Sequence, residues 1–512
     1  MLGAAGAGGS LFFGCGDFGA VLAQSRLPRI VGRASAAPTS LAWRLLSRAG
    51  YGPRPGDLEA VETRGAEVWL EEQLTPERIP QSKELAVRLG ALDSLALDHN
   101  LLRDYNASDR IDAVVTPLVR DLLKTRQFFV QEPAEGVARR ELIHAAILRA
   151  TYSTRRLEEV LLEFWSDHFH VSQAKSECEW LKTVDHAVLR PHVFGRFRDL
   201  LGASAHSPAM LFYLDNDKSG AGDELNENYG RELLELHTLG VDAGYTLKDV
   251  QEVSRCFTGW GVHEAGSLQC GAFEYKNEAH DDGAKVVLGH EIPAGGGYRD
   301  GEGVLDILAA HPATARFICG KLCRRFISDQ PPPALIEELA GLFMETDGDL
   351  RAVVRALFLH PAFTAPENVK FKRPFDFVIS ALRATNATLR GTQVAASLGE
   401  LGQLPFQWAT PDGYPDEASD WSSNLLGRWN FAVALSSGGI EGADVEPEVL
   451  LRATKSGDRH DACRSLQRMV LGYELDPSVT EEHVALSREA AAPLAAAQWL
   501  ALTIASPEFQ LR

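Results

Sequence analysis

The spacing of apolar residues is helical over most of the chain. Leu41, Leu45 and Leu46, then Leu58, Val61, Val68, Trp69 and Leu70, recur at steps of three and four, the period that gathers side chains on one helix face. Residues 139–162 predict two helices, the second starting near Ser153, a fitting N-cap with Glu158 and Glu159 behind it. The pattern continues over 193–201, 208–214, 312–326, 334–343 and 350–359, and the end of the chain is helical as well. Pro331, Pro332 and Pro333 break the run between two of these helices. No internal repeat of solenoid period is present.

Three stretches depart from this pattern. Residues 215–223 are polar turn formers and predict a loop. Residues 256–300 mix Phe257, Trp260, Phe273 and Tyr275 with many glycines, and 285–289 is a short strand candidate. Residues 404–421, with Pro, Gly and Trp, predict a loop that packs on the core. The expected fold is therefore mainly α, a multi-helical globular protein with a small β-ribbon or long-loop insertion near 256–300. Residues 1–38 read as a flexible leader and a candidate export signal, and 39–512 as a single helical region whose subdivision near 256–300 is open.

Two helical segments carry ionisable side chains inside their apolar arcs. In NENYGRELLELHTLGV, with about 100° per residue, Tyr229, Leu233, Leu234 and Leu236 cover roughly 40° to 200° from Glu232, and Leu239 falls near ~340°. Glu232 and His237 lie inside that arc. In EFWSDHFHV, His168 sits amid Leu161, Phe164, Trp165, Phe169 and Val171, while Glu163, Asp167 and His170 share the opposite, polar side. A buried charge is costly unless paired, hydrogen-bonded or metal-bound, so such positions are functional candidates.

The two segments share the spacing E-x4-H. Residues five apart diverge on a regular helix, so neither pair chelates one metal alone, but one side chain from each helix could converge. We therefore name Glu232, His237 and His168 as candidate catalytic residues, and Glu163, His168, Glu232 and His237 as candidate ligands of a divalent metal such as Zn²⁺, Mn²⁺ or Fe. The structural alternative is a buried polar network in which Glu232 pairs with a histidine or with Arg149 or Arg190, and in which Glu163, Asp167 and His170 form a solvated face. A third set, Asp215, Asn216, Asn226, Asn228 and Asp249 with His280 and Asp281, offers oxygen ligands for Ca²⁺ or Mg²⁺, or serves as turn formers.

Composition narrows the function classes. Among 512 residues, 70 acidic against 51 basic side chains give a net charge of −19, which argues against nucleic-acid partners and against adsorption to anionic membranes. No apolar run is long enough for a transmembrane segment. Seven cysteines leave one unpaired, and Cys319 and Cys323 share a helix face at a spacing poor for metal. Residues 2–25 are small and apolar but lack a basic start before Arg26. No G-x-S-x-G, Walker, H-E-x-x-H or G-x-G-x-x-G motif is present.

Several segments, in order, carry a resemblance. NENYGRELLELHTLGV with GYTLKDVQEVSRCFTGW, then LLSRAGYGPRPGDLEAV, ILRATYSTRRLEEVLLEFWSDHFHVS, HPATARFICGKLCRRFISDQPPP, KRPFDFVISALRA and the terminal SPEFQLR, resemble domain-of-unknown-function family 1800. The likeness spans roughly residues 39–512. It implies a mainly helical, usually exported bacterial protein of the periplasm or cell envelope, and supplies no catalytic residues. The family pattern usually has Asn where this chain has Asp167. The leading expectation is an exported, hydrolase-like enzyme acting on a small-molecule or polymer substrate. Its rival is a non-catalytic envelope binding or assembly protein working with a secreted partner.

Overall fold

A computed structural model describes residues 40–106, 136–222, 225–264, 267, 269–454 and 457–512. The leader expected over 1–38 lies outside these. The described chain is mainly α, as its periodicity predicts. Pro312–Phe326 and Leu350–Leu359 match the sequence reading residue for residue. Both start on a side-chain cap, His311 accepting from Ala313 N–H and Asp349 from Ala352 N–H. Pro333 opens the next helix, Pro333–Glu345, where its missing N–H has no cost.

Helix α1 (Val137–Tyr152) and helix α2 (Arg156–His168) are the predicted pair. Ser153 does not cap α2. It ends α1, and its hydroxyl accepts the N–H of Arg155, while Gln73 accepts from Leu157 N–H at the start of α2. Helix α3 (Cys178–Leu189) packs beside them. An apolar cluster running from Leu45 through Trp165 and Leu322 to Phe509 fills the interior.

The insertion is two antiparallel ribbons: β1 (Trp260–Val262) pairs with β2 (Phe273–Tyr275), and β3 (Lys285–Val287) with β4 (His290–Ile292). Trp260 stacks on Tyr298 at 5.0 Å, and buried Lys285 and His280 both bind Asp300, so the insertion is locked to the helix that follows. The third sequence set is consumed here and nearby. Asp215 binds Lys175 and Lys218, Asn216 donates to the carbonyls of Phe257 and Trp260, Asn226 donates to the carbonyl of Asp215, Asp249 caps its helix, and Asp281 binds Arg255. These groups are turn formers and partners of cations.

Two other features position the site. After Asn228–Glu232 the helix widens into a π turn, Leu233–Thr238, closed by Leu239 N–H on the carbonyl of Leu234 at 2.9 Å. And residues 370–372 pair antiparallel with 510–512: Lys370 and Arg512 exchange main-chain hydrogen bonds of 3.1 and 2.8 Å, which carries the Arg512 side chain into the core.

Candidate functional site

Glu163 and Asp167 stand four apart on α2, hence on one face of it. The sequence reading made that face solvated; it is instead covered. Each side chain is only 20 % exposed. Arg325, at the end of Pro312–Phe326, and Arg373, the N-cap residue of helix α4 (Pro374–Ala384), both donate to Glu163. Arg373 also reaches Asp167 at 3.2 Å and Asp376 at 3.3 Å. Arg325 meets Asp416 at 3.1 Å, and Arg512 meets Asp376 at 2.7 Å. His170, the third member of the expected polar face, is fully buried and holds the carbonyl of Trp408 at 3.0 Å.

Counting charges in this cluster, three guanidiniums (Arg325, Arg373, Arg512) face four carboxylates (Glu163, Asp167, Asp376, Asp416). Among these ion-paired groups the carboxylates outnumber the guanidiniums by one, with Lys370 and Lys321 adding positive charge nearby, and burying an incompletely compensated charge favours its neutral form. The excess falls on Asp167. Burial, then the neighbouring Glu163, push its carboxyl up to about 7, against a smaller opposing pull from Arg373. Asp376 goes the other way: burial is overcome by Arg512, Arg325 and Arg373, which hold it well below the usual carboxylate range. Burial likewise opposes ionisation of Asp416, but Arg325, Arg373 and Lys370 outweigh it.

Both carboxylates line a cavity bounded by α1, α2, α3, the start of α4 and the 403–414 loop. Its volume is about 40 Å³, against the roughly 10–15 Å³ that one ordered water needs. Tyr51 enters it, its hydroxyl 3.4 Å from Glu163 Oε2. Two lining residues hold backbone conformations that non-glycine residues rarely adopt, Tyr51 (φ 57°) and Phe406 (φ 63°). Strained positions of this kind gather at functional sites. The loop is seated by close contact: a Cβ on Gly413 would fall 2.2 Å from the carbonyl oxygen of Asp167, so only glycine lets the loop lie on the C-terminal turn of α2.

The candidates from the sequence are distributed around, not within, this cavity. His168 and His237 do come together. Both are 1 % exposed, and His168 Nε2–H donates to the main-chain carbonyl of His237 at 3.0 Å, with ring centroids 6.3 Å apart. Burial keeps both rings neutral; His237 is pushed down to about 3. Among the described residues His168 Nδ1 and His237 Nε2 have no hydrogen-bond partner. Glu232 does not join them. It is half-buried at the start of the π turn, with burial, then Glu235, raising its carboxyl. Its place in the apolar arc assumed 3.6 residues per turn, and the π turn rotates the residues after it out of that register. Glu163 faces the arginine cluster. The four expected metal donors thus point three ways, the charge of Lys321 disfavours a second cation beside the two imidazoles, and among the described residues no three His, Cys, Asp or Glu side chains are grouped to hold a metal ion.

The sequence reading missed Arg325, Arg373, Asp376, Asp416 and Arg512. For two of them a signal is present in FKRPFDFVIS, where Arg373 and Asp376, with Lys372, interrupt a mostly apolar run. The six cysteines among the described residues are buried and free, and no described helix is long and apolar enough to cross a membrane.

The fold and site define a mainly helical protein built around a buried ionic cluster beside a small cavity. The chain belongs to the family described as Protein of unknown function (DUF1800), whose model matches residues 44–511. No curated protein and no solved structure matches it.

Proposed function

We propose that this chain is a hydrolase-like enzyme in which Asp167 is the proton donor. The supporting observation is a carboxyl that burial and Glu163 push up to about 7, beside that second carboxylate, in a cavity with room for water. A pKa matched to the working pH is what general acid–base catalysis requires, and paired carboxylates with separated environments divide the roles of acid and base. Protonated Asp167 gives its proton to the leaving oxygen of a bound substrate. Glu163, fixed by Arg325 and Arg373, orients the attacking water and accepts its proton. The bond between the electrophilic atom and the leaving oxygen breaks as the bond to the water oxygen forms. Action in the periplasm or envelope is part of this reading, on the strength of the family resemblance, and cell fractionation tests it.

The experiment is a screen of chromogenic esters, phosphates and glycosides with the wild type and Asp167→Asn. Hydrolysis with a pH limb near 7 that disappears in Asp167→Asn supports the reading. Hydrolysis untouched by the substitution removes it.

A second reading rests on another observation. The same cluster ties together segments near residues 163, 325, 373, 416 and 512, which is what a scaffold of a non-catalytic binding protein would need. In that case substitutions in the cluster change stability alone.

A further inference from the structure

The cavity has a part that acid chemistry at Asp167 does not use. Arg149 of α1, His186 of α3 and Ser166 of α2 also line it. Among the described residues Arg149 forms no ion pair. Glu158 and Glu159, whose charges act on Arg149, are taken by Arg190, which meets Glu158 at 3.1 Å and Glu159 at 3.0 and 2.8 Å. Among the described residues Arg149 NH1 is left without an acceptor, and so is the hydroxyl of Ser166. His186 is 7 % exposed, and its ring meets that of Phe406 edge-on at 5.6 Å. Burial, then Arg149 and Arg190, keep the imidazole neutral, so one of its nitrogens is a donor.

Glu159 lines the same cavity but is already held by Arg190, so Arg149 NH1 and the Ser166 hydroxyl remain donors without acceptors among the described residues. A guanidinium N–H and a hydroxyl are each costly to bury unpaired, and the His186 N–H adds a third donor to the same wall. A carboxylate supplies what is missing, with two oxygens, about four lone-pair sites and one negative charge.

We propose that Arg149, His186 and Ser166 form the subsite that binds a carboxylate group of the substrate. The proposal rests on the cavity being the working site, but not on Asp167 acting as the acid. A substrate seated this way presents its own carboxylate to Arg149 and a second polar group to Glu163 and Asp167. The class is therefore a small molecule bearing a carboxylate and a hydrolysable bond close to it.

The test titrates the purified full chain with sodium acetate, using sodium chloride at equal ionic strength as control. Thermal melting and the imidazole resonances of His186 are followed. The expected result is a saturable rise in melting temperature and a saturable shift of the His186 resonances, both absent with chloride. Arg149→Met, checked for folding by circular dichroism, should bind acetate at least about tenfold more weakly. Asp167→Asn should keep the acetate response, so that a failure of acid catalysis and a failure of this subsite give different results. A wild type that shows no saturable response above chloride overturns the proposal. So does an Arg149→Met protein that binds acetate normally, and so does inorganic phosphate binding more tightly than acetate.

Discussion

Arg373 NH1 lies 3.2 Å from Asp167 Oδ2, and the same guanidinium binds Glu163 through NH2. One cation is thus shared between two carboxylates of a single helix turn. Because Arg325 and Arg512 also serve Asp376 and Asp416, the guanidiniums are one fewer than the carboxylates they pair with, and Asp167 is the carboxyl that burial and Glu163 push towards its protonated form. This links the packing of distant segments to a group that titrates near pH 7.

The proton has a consequence for stability. Asp167 is raised from 3.8 to about 7 on folding, so between those values the folded chain binds a proton that the unfolded chain has released. Its contribution is fully present below about pH 4 and is lost as pH rises through about 7. Asp167→Asn stays neutral throughout. The melting temperature of Asp167→Asn minus that of the wild type should therefore rise between pH 4 and pH 8. A flat difference in paired melts across that range contradicts the assignment.

Removing Arg373 should be severe. It would leave Glu163 and Asp376 short of their partner in the core, and breaking a buried pair costs about 3–5 kcal/mol. Arg373→Met is expected to lose that much in urea denaturation. Arg373→Lys should recover only part of it, since one ammonium cannot reproduce a fork that meets four carboxylates. Full recovery by lysine would count against the shared-fork geometry.

Gly413 offers a test of how the loop seats on α2. Gly413 and Gly244 both have positive φ, 75° and 83°, so alanine at either carries a backbone penalty of about 1 kcal/mol. Only at Gly413 would the new Cβ meet a backbone oxygen, whereas nothing lies within 4 Å of it at Gly244. Gly413→Ala should thus destabilise clearly more than Gly244→Ala. Equal losses in thermal melts would show that the loop does not rest on Asp167.

The helices were legible because their signals are local. Pro312 and His311, or Asp349 before Leu350, mark helix starts in a few consecutive residues. The site was legible only in part. His168 was correctly placed in the core, since Leu161, Phe164 and Trp165 surround it on its own helix. Glu163 and Asp167 looked solvated because their partners are remote: Arg325 is 162 residues from Glu163, and Arg373 is 210. A helical wheel contains no term for such partners. Glu232 was misplaced for a different reason, the π turn at Leu233–Thr238, whose widened winding no spacing rule in the sequence announces.

Metal removal bears on the pair His168 and His237. Their unpartnered nitrogens sit near Lys321, whose positive charge disfavours a cation there. Treatment with a chelator should leave the melting temperature unchanged. A fall that divalent metal reverses would restore these histidines, with a donor beyond the described residues, as a metal site.

The most direct test is the titration of the Asp167 carboxyl itself. Its ¹³C resonance, assigned by comparison with Asp167→Asn, should move with a midpoint of about 7, and that midpoint should fall when Glu163→Gln removes the neighbouring charge. A midpoint near the ordinary aspartate value of about 3.9, unmoved by Glu163→Gln, would contradict both the charge count of the cluster and the role given to its proton.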